Sequence, residues 1–223
     1  MDGDLIVVDD VPGEFAELVI DAFHSRPYDT FSLVLSGGET ARTCYERLAA
    51  KGSTQIDWWK VDVYWGDERA VPSDDPHSNF RLAREALLER VGAANTIHPM
   101  DCALGADPYQ LRLGELAHLD LVHLGLGPDG HTASLFPRSP ALDADPGRLV
   151  VMNHDPAGIH PHERMTLTFS GIARARLAVV TVCGEDRAEA LAAVVRGDDV
   201  PAARISAGRV VWLVDAAAAS ALP

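Results

Sequence analysis

Short apolar runs alternate with amphipathic stretches along the whole chain. Leu5-Ile6-Val7-Val8 predicts a strand, and Phe15, Leu18, Val19, Ala22 and Phe23 then share one helical face. Residues 31–35 predict a second strand, closed by Ser36-Gly37-Gly38, and a helix is expected over 40–50 with Gly52 as its stop. A third strand is predicted at 61–65, followed by a polar loop over 66–76. Ser78 opens a helix to Leu88 that places Phe80, Ala83, Leu87 and Leu88 on one side. No regular period runs through 92–105. Residues 119–124 read as a buried strand ended by a glycine-rich loop over 125–130. Shorter strands are predicted at 150–152 and 165–169, a clear one at 177–182, a helix at 185–195 and a last strand at 210–214. The Pro-, Asp- and Ser-rich stretch 136–148 is the longest irregular segment and the expected place for a lid.

Repeated strand–helix alternation predicts an α/β fold: a mainly parallel sheet flanked by helices on both faces. Neither an internal repeat nor a low-complexity linker divides the chain, so residues 1–223 are expected to form a single α/β domain. Sheets of this kind bind ligands at the carboxyl ends of their strands. The loops at 36–40, 66–72 and 125–131 each follow a predicted strand, so one sheet edge can carry all three.

Composition narrows the partners. Nineteen basic against 33 acidic side chains give a net charge of −14, which argues against a phosphate-backbone binder and leaves small anionic substrates open. No apolar run approaches a membrane span, and the acidic start Met1-Asp2-Gly3-Asp4 is not that of a signal peptide. No nucleic-acid or membrane partner is expected. The three cysteines, Cys44, Cys102 and Cys183, form no CxxC pair and read as buried small apolar side chains. A cytoplasmic monomer is the expectation.

Three constellations carry chemistry. In Ser36-Gly37-Gly38-Glu39-Thr40 two glycines precede a helix start, where free N–H groups and the dipole suit a phosphate; a plain tight turn is the simpler reading. The segment 125–131, Gly-Leu-Gly-Pro-Asp-Gly-His, matches GxGxxG after a strand. A dinucleotide fold is excluded, because Pro137 leaves no room for the long helix that fingerprint requires. The loop instead presents Asp129 and His131, either as a plain solvated loop histidine or as an imidazole suited to proton transfer near neutral pH. Gly66-Asp67-Glu68-Arg69 reads either as a catalytic carboxylate beside a phosphate-binding arginine or as a surface ion network. Ser78-Asn79, with Arg81 and Arg84, adds polar groups nearby. His154, His160 and His162 match no metal-ligand spacing, and no metal site is expected.

Together these blocks resemble the 6-phosphogluconolactonase family, over roughly residues 5–215 and in family order. The resemblance rests on Leu-Ser-Gly-Gly at 35–38 with Thr40, on Trp-Gly-Asp-Glu-Arg at 65–69 with Val71-Pro72, and on Ser78-Asn79. It rests most on Leu-Gly-Leu-Gly-Pro-Asp-Gly-His-Thr-Ala-Ser-Leu-Phe-Pro at 124–137, and on Arg164-Met165-Thr166-Leu167-Thr168. It implies a glucosamine-6-phosphate deaminase/ribose-5-phosphate isomerase-like fold. It further implies hydrolysis of 6-phosphoglucono-1,5-lactone, a small-molecule sugar-phosphate lactone, with no cofactor. Carried over, it makes His131 the general base with Asp129 and Asp67 around it. Ser36, Gly37, Gly38 and Thr40 become the substrate loop, and Arg69 and Arg187 the cations for substrate or phosphate.

Two positions depart from the family pattern. Glu39-Thr40-Ala41 replaces a hydroxyl residue followed by Thr-Pro, and a carboxylate at 39 repels phosphate unless it turns outward or pairs with Arg42. Arg187 stands where the family often has lysine, which keeps the charge. Three alternatives remain: a deaminase-isomerase, which has Glu where this chain has Phe136; a non-catalytic sugar-phosphate-binding module; and a sugar-phosphate isomerase of similar fold.

Overall fold

A computed structural model describes residues 1–222. The chain begins β1 (Asp4–Val7), α1 (Val11–His24), β2 (Phe31–Leu35), α2 (Glu39–Gly52), β3 (Val61–Trp65), β4 (Asp67–Arg69), α3 (Asn79–Ala83) and β5 (Thr96–Ile97). It continues α4 (Asp107–Gly114), β6 (Leu119–Gly125), β7 (Val150–Asn153), β8 (Arg164–Leu167), α5 (Phe169–Ile172), β9 (Ala175–Val182), α6 (Ala188–Arg196) and β10 (Val210–Val214). Seven strands form a parallel sheet in the order β1-β10-β9-β6-β2-β3-β5.

Every residue of β2 and β10 is buried, which is why both read as unbroken apolar runs rather than alternating ones. α1 starts at an Asp10 cap whose carboxylate accepts from Gly13 N–H at 3.0 Å, and Pro12 lies in its first turn. It buries Phe15, Val19 and Phe23 at helical spacing. Each such side chain contributes about 1.5–3 kcal/mol by leaving water.

The strand order places the site. From β2 the chain moves outward through α2 to β3 and β5; from β6 it returns past β2's other side to β9 and β10. Right-handed crossovers then put α1 and α2, which pack together, on one face, and α6 on the other. The loops leaving neighbouring β2 and β6 therefore diverge. The crevice between them is a topological switch point, where open α/β sheets hold their ligands.

A second sheet lies against this edge: β4, β8 and β7, antiparallel; β7 and β8 are the strands predicted at 150–152 and 165–169, and only β4 was not predicted. Its strand β4 is Asp-Glu-Arg, inside the expected polar loop. No apolar alternation marks it; it exists because its backbone pairs with β8, Asp67 opposite Thr166 and Arg69 opposite Arg164. α4 was also missed, since Tyr109 and Leu113 are its only buried positions.

The segment 136–148, expected as a lid, is packed in its first part, whereas Asp143, Asp145, Pro146 and Gly147 stay exposed. Phe136, Ser139 and Ala141 are buried, residues 140–143 form a 3₁₀ turn, and Asn153 Nδ2 donates to Ser134 O at 2.7 Å and Ser139 Oγ at 3.0 Å.

Candidate active site

A cavity of about 230 Å³ opens at this crevice. Ser36, Gly37, Gly38, Asp67, Arg69, His131 and Arg187 line it, together with Gly125–Pro128, Ala133, His160 and Arg164. Thr40 lines a small adjoining cavity that shares Ser36, Gly37, Gly38 and Arg187. Asp129 stands behind His131. The sequence-predicted residues thus come together from the loops after β2 and β6, from β4 and from the start of α6. A larger cavity of about 760 Å³ lies on the other side of Arg69, but its wall holds no histidine and no glycine loop.

The glycine-loop end of the cavity is made by the start of α2. Gly38 is its N-cap without a side-chain cap, so the first N–H groups of this helix are left for a ligand. A side chain at Gly37 would collide with the amide of Asn79, which packs directly against the loop. Beneath it runs a buried polar chain. Tyr45 Oη accepts from Ser36 N–H at 2.6 Å and meets His123 Nδ1 at 3.0 Å, and His123 Nε2 meets Thr181 Oγ1 at 2.9 Å. Burial pushes the His123 imidazole down to about 3, so it is neutral.

Arg187 closes this end from α6. Its guanidinium is fixed by Leu126 O at 3.2 Å, Cys183 O at 3.1 Å and the Asp186 carboxylate at 2.6 Å. Glu39 is 82% exposed and 3.7 Å from Arg42, so it both turns outward and pairs.

At the other end, His131 Nδ1 lies 2.5 Å from Asp129 Oδ1, which also accepts the His131 backbone N–H at 3.2 Å. Burial opposes ionisation of Asp129. The hydrogen bond and charge of His131 outweigh it and hold the carboxyl below the usual range. An ionised Asp129 accepts, so Nδ1 is the ring nitrogen that carries a proton in this pair. Only glycine fits at 127, because a Cβ there would strike the His131 ring.

Asp67 is buried and held by Ser134 Oγ–H at 2.6 Å and Asn79 Nδ2 at 3.1 Å. Arg164 Nη1 lies 4.0 Å from it. Arg164 is itself buried, its Nε has no partner among the described residues, and burial lowers its affinity for its proton against the pull of Asp67. An underpaired buried guanidinium in a cavity wall is suited to an anionic oxygen.

Glu68 is not part of the site. Its carboxylate accepts from the N–H groups of Arg69, Asn79 and Phe80, each at 2.7 Å, and from Ser78 Oγ at 3.0 Å, tying β4 to the start of α3. Arg81 and Arg84 pair with Glu85 and Glu89 on the surface.

Sequence reasoning missed two residues. Arg164 opens a recognisable block but carries no spacing signal. His160 was set aside for lacking a ligand motif, yet its ring stacks on Phe136 at 4.9 Å and meets His131 edge-on at 4.8 Å. His154 and His162 do not join it in the cavity wall. Of the cysteines, only Cys44 is buried as expected; Cys102 and Cys183 are half-buried, and burial pushes both of their thiols up to about 11, away from reactivity.

Comparison with known proteins places the chain in a family and a fold. Residues 7–212 match the family model described as glucosamine-6-phosphate isomerases/6-phosphogluconolactonase. The 6-phosphogluconolactonase of Synechocystis sp. is 38% identical over 204 residues, covering 82% of this chain and 81% of that one. The structure of 6-phosphogluconolactonase from Trypanosoma cruzi superposes with a TM-score of 0.86 at 26% identity, covering 100% of this chain and 98% of that one. A monomeric glucosamine-6-phosphate deaminase shares the fold, with a TM-score of 0.83 at 20% identity over 99% of this chain and 100% of that one. The chain belongs to the glucosamine-6-phosphate isomerase/6-phosphogluconolactonase family.

Proposed function

We propose that this protein hydrolyses 6-phosphoglucono-1,5-lactone, with His131 as general base. The carrying observation is that His131, hydrogen-bonded to Asp129 behind it, faces the same cavity as the glycine loop and Arg187. Asp129 fixes the tautomer, and His131 Nε2 takes a proton from water as it attacks the lactone carbonyl. The imidazolium then returns the proton to the departing ring oxygen. Arg164 and Arg69 sit in the cavity wall where negative charge develops on the carbonyl oxygen, and the start of α2 with Arg187 holds the phosphate. Such lactones open in water unaided, so one base with positioning is enough.

The naming of relatives as 6-phosphogluconolactonases supports this reading over a deaminase-isomerase. So does Phe136, which is fully buried under the His131 and His160 rings and cannot relay a proton from the position where a deaminase has its glutamate. The retained base and cations speak against a mere binding module. The test is lactone hydrolysis, read by coupling product to its dehydrogenase, run beside ammonia release from glucosamine 6-phosphate. Hydrolysis without ammonia is expected; ammonia without hydrolysis overturns the reading.

A further inference from the structure

The Asp129–His131 pair has a third member that lactone hydrolysis leaves unused. His160 Nε2 lies 4.0 Å from Asp129 Oδ2, on the side of the carboxylate away from the oxygen that holds His131. One donor atom from each of the three residues falls within 4.8 Å of the others. Two imidazoles and one carboxylate, half-buried and opening into a solvent-reached cavity, form the donor set that divalent ions of the zinc class select. Magnesium and calcium prefer oxygen donors and are poorly matched.

The geometry is near what such an ion requires. Donor atoms about 2.0–2.2 Å from a tetrahedral zinc are roughly 3.3 Å apart. The Asp129–His131 contact at 2.5 Å must open, and His160 must close from 4.0 Å. Each is a shift of roughly 1 Å, and the two imidazole donors, which lie within 4.8 Å of each other, close by at most about 1.5 Å.

His160 is also held in place. Asp155 accepts the N–H groups of Ala157 at 2.8 Å, Ile159 at 2.9 Å and His160 at 3.0 Å, which fixes the turn carrying it. Phe136 fixes the ring plane. Supports of this kind orient a ligand before the metal arrives.

We propose that Asp129, His131 and His160 form an inhibitory site for a zinc-class divalent cation. Occupation has a definite chemical consequence. The ion takes the lone pair of His131 Nδ1, so the single proton of the neutral ring must reside on Nε2. Nε2 then has no lone pair for water, and Asp129 is no longer free to stabilise an imidazolium. No proton is gained or lost by the ring; it changes nitrogen. The inhibitory half rests on the reading of His131 as the base, whereas the binding half does not.

The test begins with protein stripped by a chelator and titrated with Co²⁺, read by its visible d–d absorbance, and with Zn²⁺ in competition with a chromogenic chelator. One ion per chain is expected, with Mg²⁺ in excess failing to displace it. H160Q and D129N should each weaken Zn²⁺ binding at least about tenfold. H160C, which restores a zinc-ligating atom, should recover it, separating ligation from damage to the loop. Zn²⁺ should abolish lactone hydrolysis by the wild type, and chelator should restore it. The site is overturned if Zn²⁺ binding is not saturable, or if H160Q and D129N bind as tightly as the wild type. Saturated zinc binding that depends on His160 but leaves hydrolysis intact would confirm the ion's site and overturn both the inhibition and the base assignment.

Discussion

In the proposed reading, the two ends of the cavity, one for phosphate and one for proton transfer, work with different parts of the chain. At the phosphate end the donors are main-chain N–H groups at the start of α2, supported from below by Tyr45, His123 and Thr181. Its one cation, Arg187, is tethered by two carbonyls and the Asp186 carboxylate. At the proton-transfer end every working group is a side chain: His131 on Asp129, and Asp67 on Ser134 and Asn79. A backbone cradle recognises an anion that is the same before and after reaction. An imidazole acts on a proton that moves only in the transition state. Damage at the first end should therefore raise KM, and damage at the second should lower kcat.

The largest effect tests the second half of that contrast. His131→Ala should lower kcat by about 10²–10⁴ with KM little changed, the usual contribution of a general base. His131→Asn should be as inactive, since an amide takes no proton. Steady-state kinetics on both variants check it. If His131→Ala keeps near-wild-type kcat while Asp67→Ala abolishes turnover, the base is a carboxylate and the division of labour must be redrawn.

Next comes the phosphate end. Arg187→Ala should raise KM by at least about tenfold, the loss of a charge-assisted contact worth roughly 1.5–3 kcal/mol, with kcat far less affected. Unphosphorylated gluconolactone should be correspondingly poor for the wild type and nearly indifferent to the Arg187 change. Equal efficiency of the wild type on both lactones would remove phosphate recognition from this end altogether.

How legible these two ends were in the sequence follows from how they are built. Strands β2, β6, β9 and β10 are buried on both faces and announce themselves as apolar runs. The glycines after β2 and β6 mark turns with a local physical cause. Strand β4 gave no such sign, because Asp67, Glu68 and Arg69 are ordered by cross-strand pairing and by hydrogen bonds to residues about ten positions on. His160 and Arg164 reach the cavity through tertiary packing, and no spacing within the chain encodes that. The same holds for Glu68, whose acid–acid–base setting suggested chemistry but whose carboxylate caps a helix start. Local periodicity thus reports the scaffold well. It reports long-range polar convergence only where a motif has been met before.

A smaller, pH-dependent effect tests whether the phosphate end depends on its buried support. His123 is fully buried and pushed down to about 3, whereas an exposed histidine titrates near 6.5. Its folded pKa is depressed, so the folded state is fully favoured by this group above 6.5. As pH falls from there towards 3 the unfolded chain takes up the proton first. Stability from this group should then drop by about 1.4 kcal/mol per pH unit. Denaturant melts between pH 7 and 5 check it. His123→Gln should flatten that part of the profile, and an unchanged slope would mean that His123 is not held neutral.

The smallest expected effect concerns Glu39, the residue that departs from the family pattern at the phosphate end. A carboxylate at the first turn of α2 favours the helix dipole by about 0.3–1 kcal/mol, but the same dipole is meant for the phosphate. The two demands do not conflict here, because Glu39 is 82% exposed and directed to Arg42 at 3.7 Å. Water and Arg42 screen it from the cradle. Glu39→Gln should therefore change KM by less than about twofold while lowering the melting temperature slightly through the lost dipole interaction. If the variant instead binds substrate about tenfold tighter, Glu39 faces the phosphate in solution. The backbone cradle would then be working against a resident negative charge, and its contrast with the proton-transfer end would lose its basis.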